Sequence, residues 1–135
     1  MQNLVVTPQM RALIGGAFYP SGYSLIMYPT EAEILPIAAR LTEARFNDED
    51  LFRVSPHIAI EEIATTVDSS NMPLPSVGSD GAIARTIVDM AKQGHYGLLV
   101  RTDKDGDIEA LKNAIANSGY SFAKAYRTFV IEDLE

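Results

Sequence analysis

The chain has no cysteine among its 135 residues. That removes a disulfide framework, a thiolate nucleophile and a cysteine-ligated zinc site together. A reducing cytoplasm is the compartment this composition leads one to expect. No apolar run approaches the roughly 18 to 20 residues that cross a bilayer as a helix. The opening Met1-Gln-Asn-Leu-Val-Val-Thr-Pro-Gln-Met-Arg11 has no basic stretch ahead of a long apolar core, so no signal peptide is expected. Positive charge is short as well: 11 basic residues face 18 acidic ones, a formal charge of −7. Such a surface repels phosphate backbones at long range, which argues against nucleic acid as a partner. Only two histidines occur, His57 and His95, far apart in the chain and without metal-ligand spacing. There is no Gly-x-Ser-x-Gly elbow, no phosphate-loop lysine and no His-Glu-x-x-His helix. No catalytic residue, metal or cofactor is therefore expected from motifs.

What remains is the composition of an ordinary globular domain, 47% hydrophobic and 21% charged. At this length a single domain over 1–135 is expected. It divides into a lead-in (1–22), a first β-α-β unit (23–56), a loop and helix insert (57–94) and a second unit (95–135). The division rests on an internal echo. Tyr23-Ser-Leu-Ile-Met-Tyr28 precedes an amphipathic run from Glu31 to Phe46, and Tyr96-Gly-Leu-Leu-Val-Arg101 precedes one from Asp107 to Tyr120. Leu25, Ile26 and Met27 align with Leu98, Leu99 and Val100 at an offset of 73 residues. Ile34, Ile37, Leu41 and Phe46 align with Ile108, Leu111, Ile115 and Tyr120 at 74. One extra residue in the second strand-to-helix loop is the expected cause.

Thr7-Pro8 predicts a short helix through Leu13, stopped by Gly15-Gly16. The run Gly15-Gly-Ala-Phe-Tyr-Pro-Ser-Gly22 is too aromatic for a solvated linker. Thr30 and Glu33 form a capping-box pattern for a helix to about Arg45, in which Pro36 must kink the helix or displace its start. A short strand near Leu51 to Val54 follows the acidic turn Asn47-Asp-Glu-Asp50. Ile58, Ile60, Ile63 and Val67 fit a short helix with Glu61 and Glu62 outward. After the loop-rich 68–79 segment, a helix presents Ile83, Ile87 and Met90 on one face and ends at Gly94. The second unit is a strand from Tyr96 to Thr102, a helix from Asp107 to Asn117 stopped by Ser118-Gly119, and a strand from Phe122 to Ile131. In that last strand Lys124 and Arg127 suggest one exposed sheet face. A ferredoxin-like βαββαβ sandwich is the simplest assembly: an α+β fold with an antiparallel sheet, an additional middle helix and an N-terminal extension.

The strongest candidate binding element is Leu74-Pro-Ser-Val-Gly-Ser-Asp-Gly-Ala-Ile-Ala-Arg85. A glycine-rich turn feeding a helix N-terminus presents free amides that favour a small anion. Gly78, Ser79, Gly81 and Arg85 are the candidates there. Asp80 opposes an anion, and capping is the competing role for Ser79-Asp80. His95 and Arg101, flanking a central strand, complete the candidate set. Asp103-Lys-Asp-Gly-Asp107 begins like a calcium loop, but Ile108 and Ala114 occupy its glycine and glutamate positions, so an acidic helix start is the better account. Phe18, Tyr19, Tyr23 and Tyr28 suggest an apolar patch serving as oligomer interface or ligand pocket.

With Gly15 to Gly22, Leu74 to Gly81 and the closing Phe129-Val-Ile-Glu-Asp-Leu134 taken together, the chain resembles a family of small proteobacterial proteins that carry no assigned activity. More distantly, Tyr23 to Val54 is similar to the ferredoxin-like modules of bacterial general stress proteins. There a helix ending in a Gly-Phe-like dipeptide and an acidic turn precede the next strand; here Arg45-Phe46 stands at that place. The resemblance implies a cytosolic bacterial protein with the same fold, a link to stress response and no catalytic residue to transfer. The expected function is a non-enzymatic, homo-oligomeric binding, sensor or adaptor module that takes a small anionic ligand or a protein partner. The alternative is a small dimeric α/β-barrel enzyme in which the sheet encloses a hydrophobic substrate and His95 or Tyr126 moves a proton.

Overall fold

The computed structural model describes residues 1–67 and 79–134. Six strands form one open sheet: β1 (Gln2–Asn3), β2 (Tyr23–Tyr28), β3 (Leu51–Val54), β4 (Tyr96–Arg101), β5 (Phe122–Tyr126) and β6 (Ile131–Asp133). Their order across the sheet is β1-β3-β4-β2-β5-β6. Neighbours from β3 to β6 pair antiparallel, and β1 pairs parallel with β3. The sheet is thus mixed, where an antiparallel one was expected. The cause is the N-terminus: Gln2 and Asn3 lie beside Phe52 and Arg53, and the Leu4 amide donates to the Arg53 carbonyl at 3.0 Å. A strand of two residues leaves no periodic signal to read.

Four helices complete an α+β architecture: α1 (Ile34–Ala44), α2 (Pro56–Ile58), α3 (Ser79–Lys92) and α4 (Asp107–Ile115). α2 runs on through a π-helical stretch, Ala59–Ile63, and a 3-10 stretch, Ala64–Val67. β2 is nearly continuous in apolar residues because both its faces are covered. Ile26 and Tyr28 join α1 and α4 through Ile34, Ile37, Leu41, Leu111 and Ile115. Leu25 and Met27 join α3, the 59–67 segment and the lead-in through Ile87, Ile63, Met10 and Phe18. The exposed sheet face expected from Lys124 and Arg127 is therefore absent: Phe122 and Tyr126 are buried on the α3 side, and Lys124 pairs with Asp133 of β6.

The echo is real in space, at a different offset. Leu25 packs on the α3 side and Leu98 on the α1 side, so a shift of 73 would swap faces. An offset of 74 matches Leu25 with Leu99 and Ile26 with Val100, face for face, and agrees with the helices. No loop insertion is needed. Leu25 and Leu99 are also direct partners across the β2–β4 pair. The local two-fold relating the two strand–helix units passes through that pair.

Other boundaries differ for local reasons. Pro36 is the third residue of α1, where its missing amide has no intrahelical acceptor to lose. A 3-10 turn, Glu31–Glu33, precedes α1, and the Thr30 side chain makes no cap bond. The first helix shrinks to a 3-10 turn, Pro8–Met10. In the 59–67 segment Ala59 and Ile63 are buried while Ile60 faces outward, and Glu62 is not a free outward acid: its carboxylate accepts the Val6 amide at 2.7 Å. α4 ends at Ile115, two residues short of the expected Asn117, and Asn117 itself takes the left-handed conformation at φ 63° ahead of Ser118-Gly119. The last strand is two strands, turned by an Arg127 amide to Val130 carbonyl bond of 2.8 Å.

Candidate functional site

Three chain segments converge beside the first turn of α3. The lead-in doubles back after its 3-10 turn, with Arg11 bridged to Phe18 and the Ala12 amide donating to the Ala17 carbonyl at 2.7 Å. Gly15 and Gly16, at φ 85° and 72°, form the tip that side chains would strain. Phe18 is locked inward by its amide bond to Thr66 Oγ1 at 2.9 Å, and Tyr19 O–H donates to the Arg127 carbonyl. These bonds tie the hairpin to the 59–67 segment and to the β5–β6 turn. Between hairpin, turn and helix lies a cleft of about 510 Å³, whose walls include Pro8, Leu13, Ile14, Tyr19, Asp80 and Phe129. That size lies in the range of cavities that hold small organic ligands, roughly 300–1,000 Å³.

The rim is unusual for a surface. Leu13 is fully exposed, Ile14 89% and Phe129 96%, and Val130 beside them is 59% exposed. Large apolar side chains grouped around a concavity mark an interaction site more often than an inert surface. Two opposite charges face the cleft, Arg11 and Asp80, and neither forms an ion pair among the described residues. Arg11 Nε donates to the Gly16 carbonyl at 2.7 Å, and the residue as a whole is exposed.

Behind the cleft, Tyr126 packs edge-on against Tyr19 at 5.2 Å and Phe18 at 6.1 Å between ring centres. It is 2% exposed, and its hydroxyl has no hydrogen-bond partner among the described residues. Burial pushes the phenol well above its ordinary pKa, and the nearby Asp80 carboxylate pushes it further. The same two causes, in the same order, raise Tyr19.

The residues singled out in the sequence do not meet at one place. Gly78, with the 74–77 run, lies outside the described residues. Ser79 opens α3, and Gly81 and Arg85 lie in its first two turns, at the cleft's end of the helix. His95 and Arg101 flank opposite ends of β4, about 20 Å apart at about 3.3 Å per residue. His95 Nδ1 bonds Ser121 Oγ at 2.8 Å, which ties the α3–β4 junction to the residue that precedes β5. Arg101 lies over the Tyr23 ring at 5.1 Å and faces Asp50 at 3.5 Å and Asp103 at 3.8 Å. It lines a separate charged cleft of about 200 Å³ with Arg45, Lys104 and Asp107, in which each guanidinium already faces a carboxylate. Of the four aromatics expected to form a patch, Phe18 and Tyr28 are buried, and Tyr19 and Tyr23 are half-buried. The exposed apolar residues that line the cleft are instead Leu13, Ile14 and Phe129. Part of their signal was available, two aliphatics ahead of a double glycine; Phe129 falls within the strand expected from Phe122 to Ile131.

Among the described residues, no group of three histidine, aspartate or glutamate side chains could hold a metal. No helix among the described residues is long and apolar enough to cross a membrane. Comparison with family models, curated proteins and solved structures finds no match to this chain.

Proposed function

We propose that the chain is a non-enzymatic binding module of the sensor or adaptor kind, which takes its ligand or partner at the cleft beside α3. The observation that carries this is the ring of exposed Leu13, Ile14 and Phe129 around a preformed apolar concavity. The scaffold reading is ferredoxin-like. It is supported by the order β3-β4-β2-β5, all antiparallel, with a helix following β2 and another following β4 on one face. The insert and the lead-in add the second helical layer, and that layer creates the cleft. A cytosolic bacterial setting and a link to stress response belong to the same proposal, on the strength of the sequence resemblance.

The ligand chemistry follows from the walls. Asp80 sits in the first turn of α3, where it offsets the positive end of the helix dipole. A mostly apolar group with a neutral or positively charged end suits the cleft better than the small anion expected from the glycine-rich turn. The dimeric α/β-barrel enzyme needs one bare sheet face, and both faces of this sheet carry packed helices.

Native mass spectrometry of the gently purified chain tests the proposal. The expected result is a non-covalent added mass, a small molecule or a further subunit, that a Leu13→Ser, Phe129→Ser double variant loses while keeping its far-UV circular dichroism. A bare chain in the wild type, or an added mass that survives both substitutions, would refute it.

A further inference from the structure

Resting on this reading of the cleft as a binding surface, we infer that its occupant is the same surface of a second copy, in a two-fold dimer. An isologous contact brings residue i of one copy onto residue j of the other and j onto i, so the patch must be complementary to itself. This one meets that condition in shape and in charge. In shape, it carries both a hollow and the protruding Leu13 and Ile14 that would enter the hollow of the other copy. At about 510 Å³ the hollow is ample for two aliphatic side chains. In charge, the walls hold one cation and one anion, Arg11 and Asp80, each without an ion-pair partner among the described residues. A two-fold places each Arg11 against the partner's Asp80, twice over.

Charge also selects this face. With a net −7, two copies repel over most of their surface. The described cleft walls hold one cation and one anion and carry the exposed Leu13, Ile14 and Phe129, so contact here meets less repulsion and buries apolar surface. Other occupants fit less well. A strongly basic partner would be drawn to the acidic remainder of the surface. A lipid surface would need a rim of several lysines and arginines, whereas Arg11 is the one cation among the described lining residues and Asp80 faces it across the cleft. The bonds that fix the hairpin, Phe18 to Thr66 and Tyr19 to Arg127, present Leu13 and Ile14 already ordered, which lowers the entropic cost of association.

Sedimentation velocity over a wide concentration range tests the inference on the full chain. The wild type is expected to dimerise, and Phe129→Asp to be monomeric with an unchanged far-UV circular dichroism spectrum and a thermal midpoint that no longer rises with concentration. Arg11→Glu and Asp80→Arg alone should each weaken the dimer by about tenfold or more, and the double swap should restore it. A dimer that ignores Phe129→Asp overturns the inference, as does a double swap no better than the singles when the singles weaken the dimer. A wild type that stays monomeric but carries a small molecule lost on Phe129→Asp overturns the second copy as occupant and leaves the binding cleft standing. A monomer with no bound mass overturns both.

Discussion

The Tyr126 hydroxyl is buried, and its ring packs against Phe18 and Tyr19, yet it has no hydrogen-bond partner among the described residues. An unsatisfied buried hydroxyl costs about 1–3 kcal/mol relative to the solvated unfolded chain. Phenylalanine keeps the ring and its edge-on contacts while removing that cost. Tyr126→Phe is therefore expected to stabilise the fold by about 1 kcal/mol, read from the urea midpoint at unchanged slope. The same residue sets the response to alkali. Burial, and then the Asp80 carboxylate, raise Tyr126 above the ordinary phenol value near 10; burial raises Tyr28, against a bond to Ser118 that lowers it. A raised folded pKa means the unfolded chain loses these protons first. Stability from this source is intact below about pH 10 and falls as pH rises beyond it. Tyr126→Phe should flatten that fall, measured as urea midpoints across the alkaline range. An equally steep fall in the variant would show that other groups govern it.

At the scale of elements, the start of α4 shows one side chain holding several parts together. Asp107 is 5% exposed, accepts the Lys104 amide at 3.0 Å and faces Arg45 Nε at 3.3 Å. It thus closes the β4–α4 loop, complements the dipole of α4 and joins the end of α1 to it. Gly106 before it, at φ 84°, has the Arg45 guanidinium 2.6 Å from where a Cβ would stand. Asp107→Ala should destabilise by about 1–2 kcal/mol, from the lost loop bond and a less satisfied guanidinium. Thermal denaturation checks this, and a change under a few tenths of a kcal/mol would refute it. The acidic start of this helix was legible in the sequence because Gly-Asp ahead of an apolar period has a local cause. So were β2 to β4 and the faces of α1 and α4. The division of the last strand was not: Thr128-Phe129 carries none of the glycine, proline or asparagine that announces a reversal. The cleft was legible only in pieces. The aromatic lead-in and the start of α3 were both singled out, but their meeting with Phe129 depends on which face of the sheet each covers. His95 and Arg101, six residues apart in the chain, are far apart in space because a strand is extended.

For the whole molecule, the consequence of two helical layers is that the central strands belong to both. β2 sends Leu25 and Met27 into the core with α3, and Ile26 and Tyr28 into the core with α1 and α4. β4 does the same with Leu99 on one side and Leu98 and Val100 on the other. Neither core can be dismantled without loosening strands that close the other. The α3 layer, formed by an insert and a lead-in rather than by the echoed units, is in this respect no appendage. Leu25→Ala and Ile26→Ala remove fully buried side chains from opposite layers, each at about 2–5 kcal/mol including the cavity left behind. If the strands couple the layers, both variants shift one and the same transition. Urea unfolding followed by far-UV circular dichroism and by tyrosine near-UV signal should then give coincident midpoints in each variant. Separate midpoints in Leu25→Ala would mean that the α3 layer, and the cleft with it, opens while the sheet and the α1–α4 layer persist. The binding surface would then be a local structural unit, and a ligand or second copy seated on it would stabilise that layer alone.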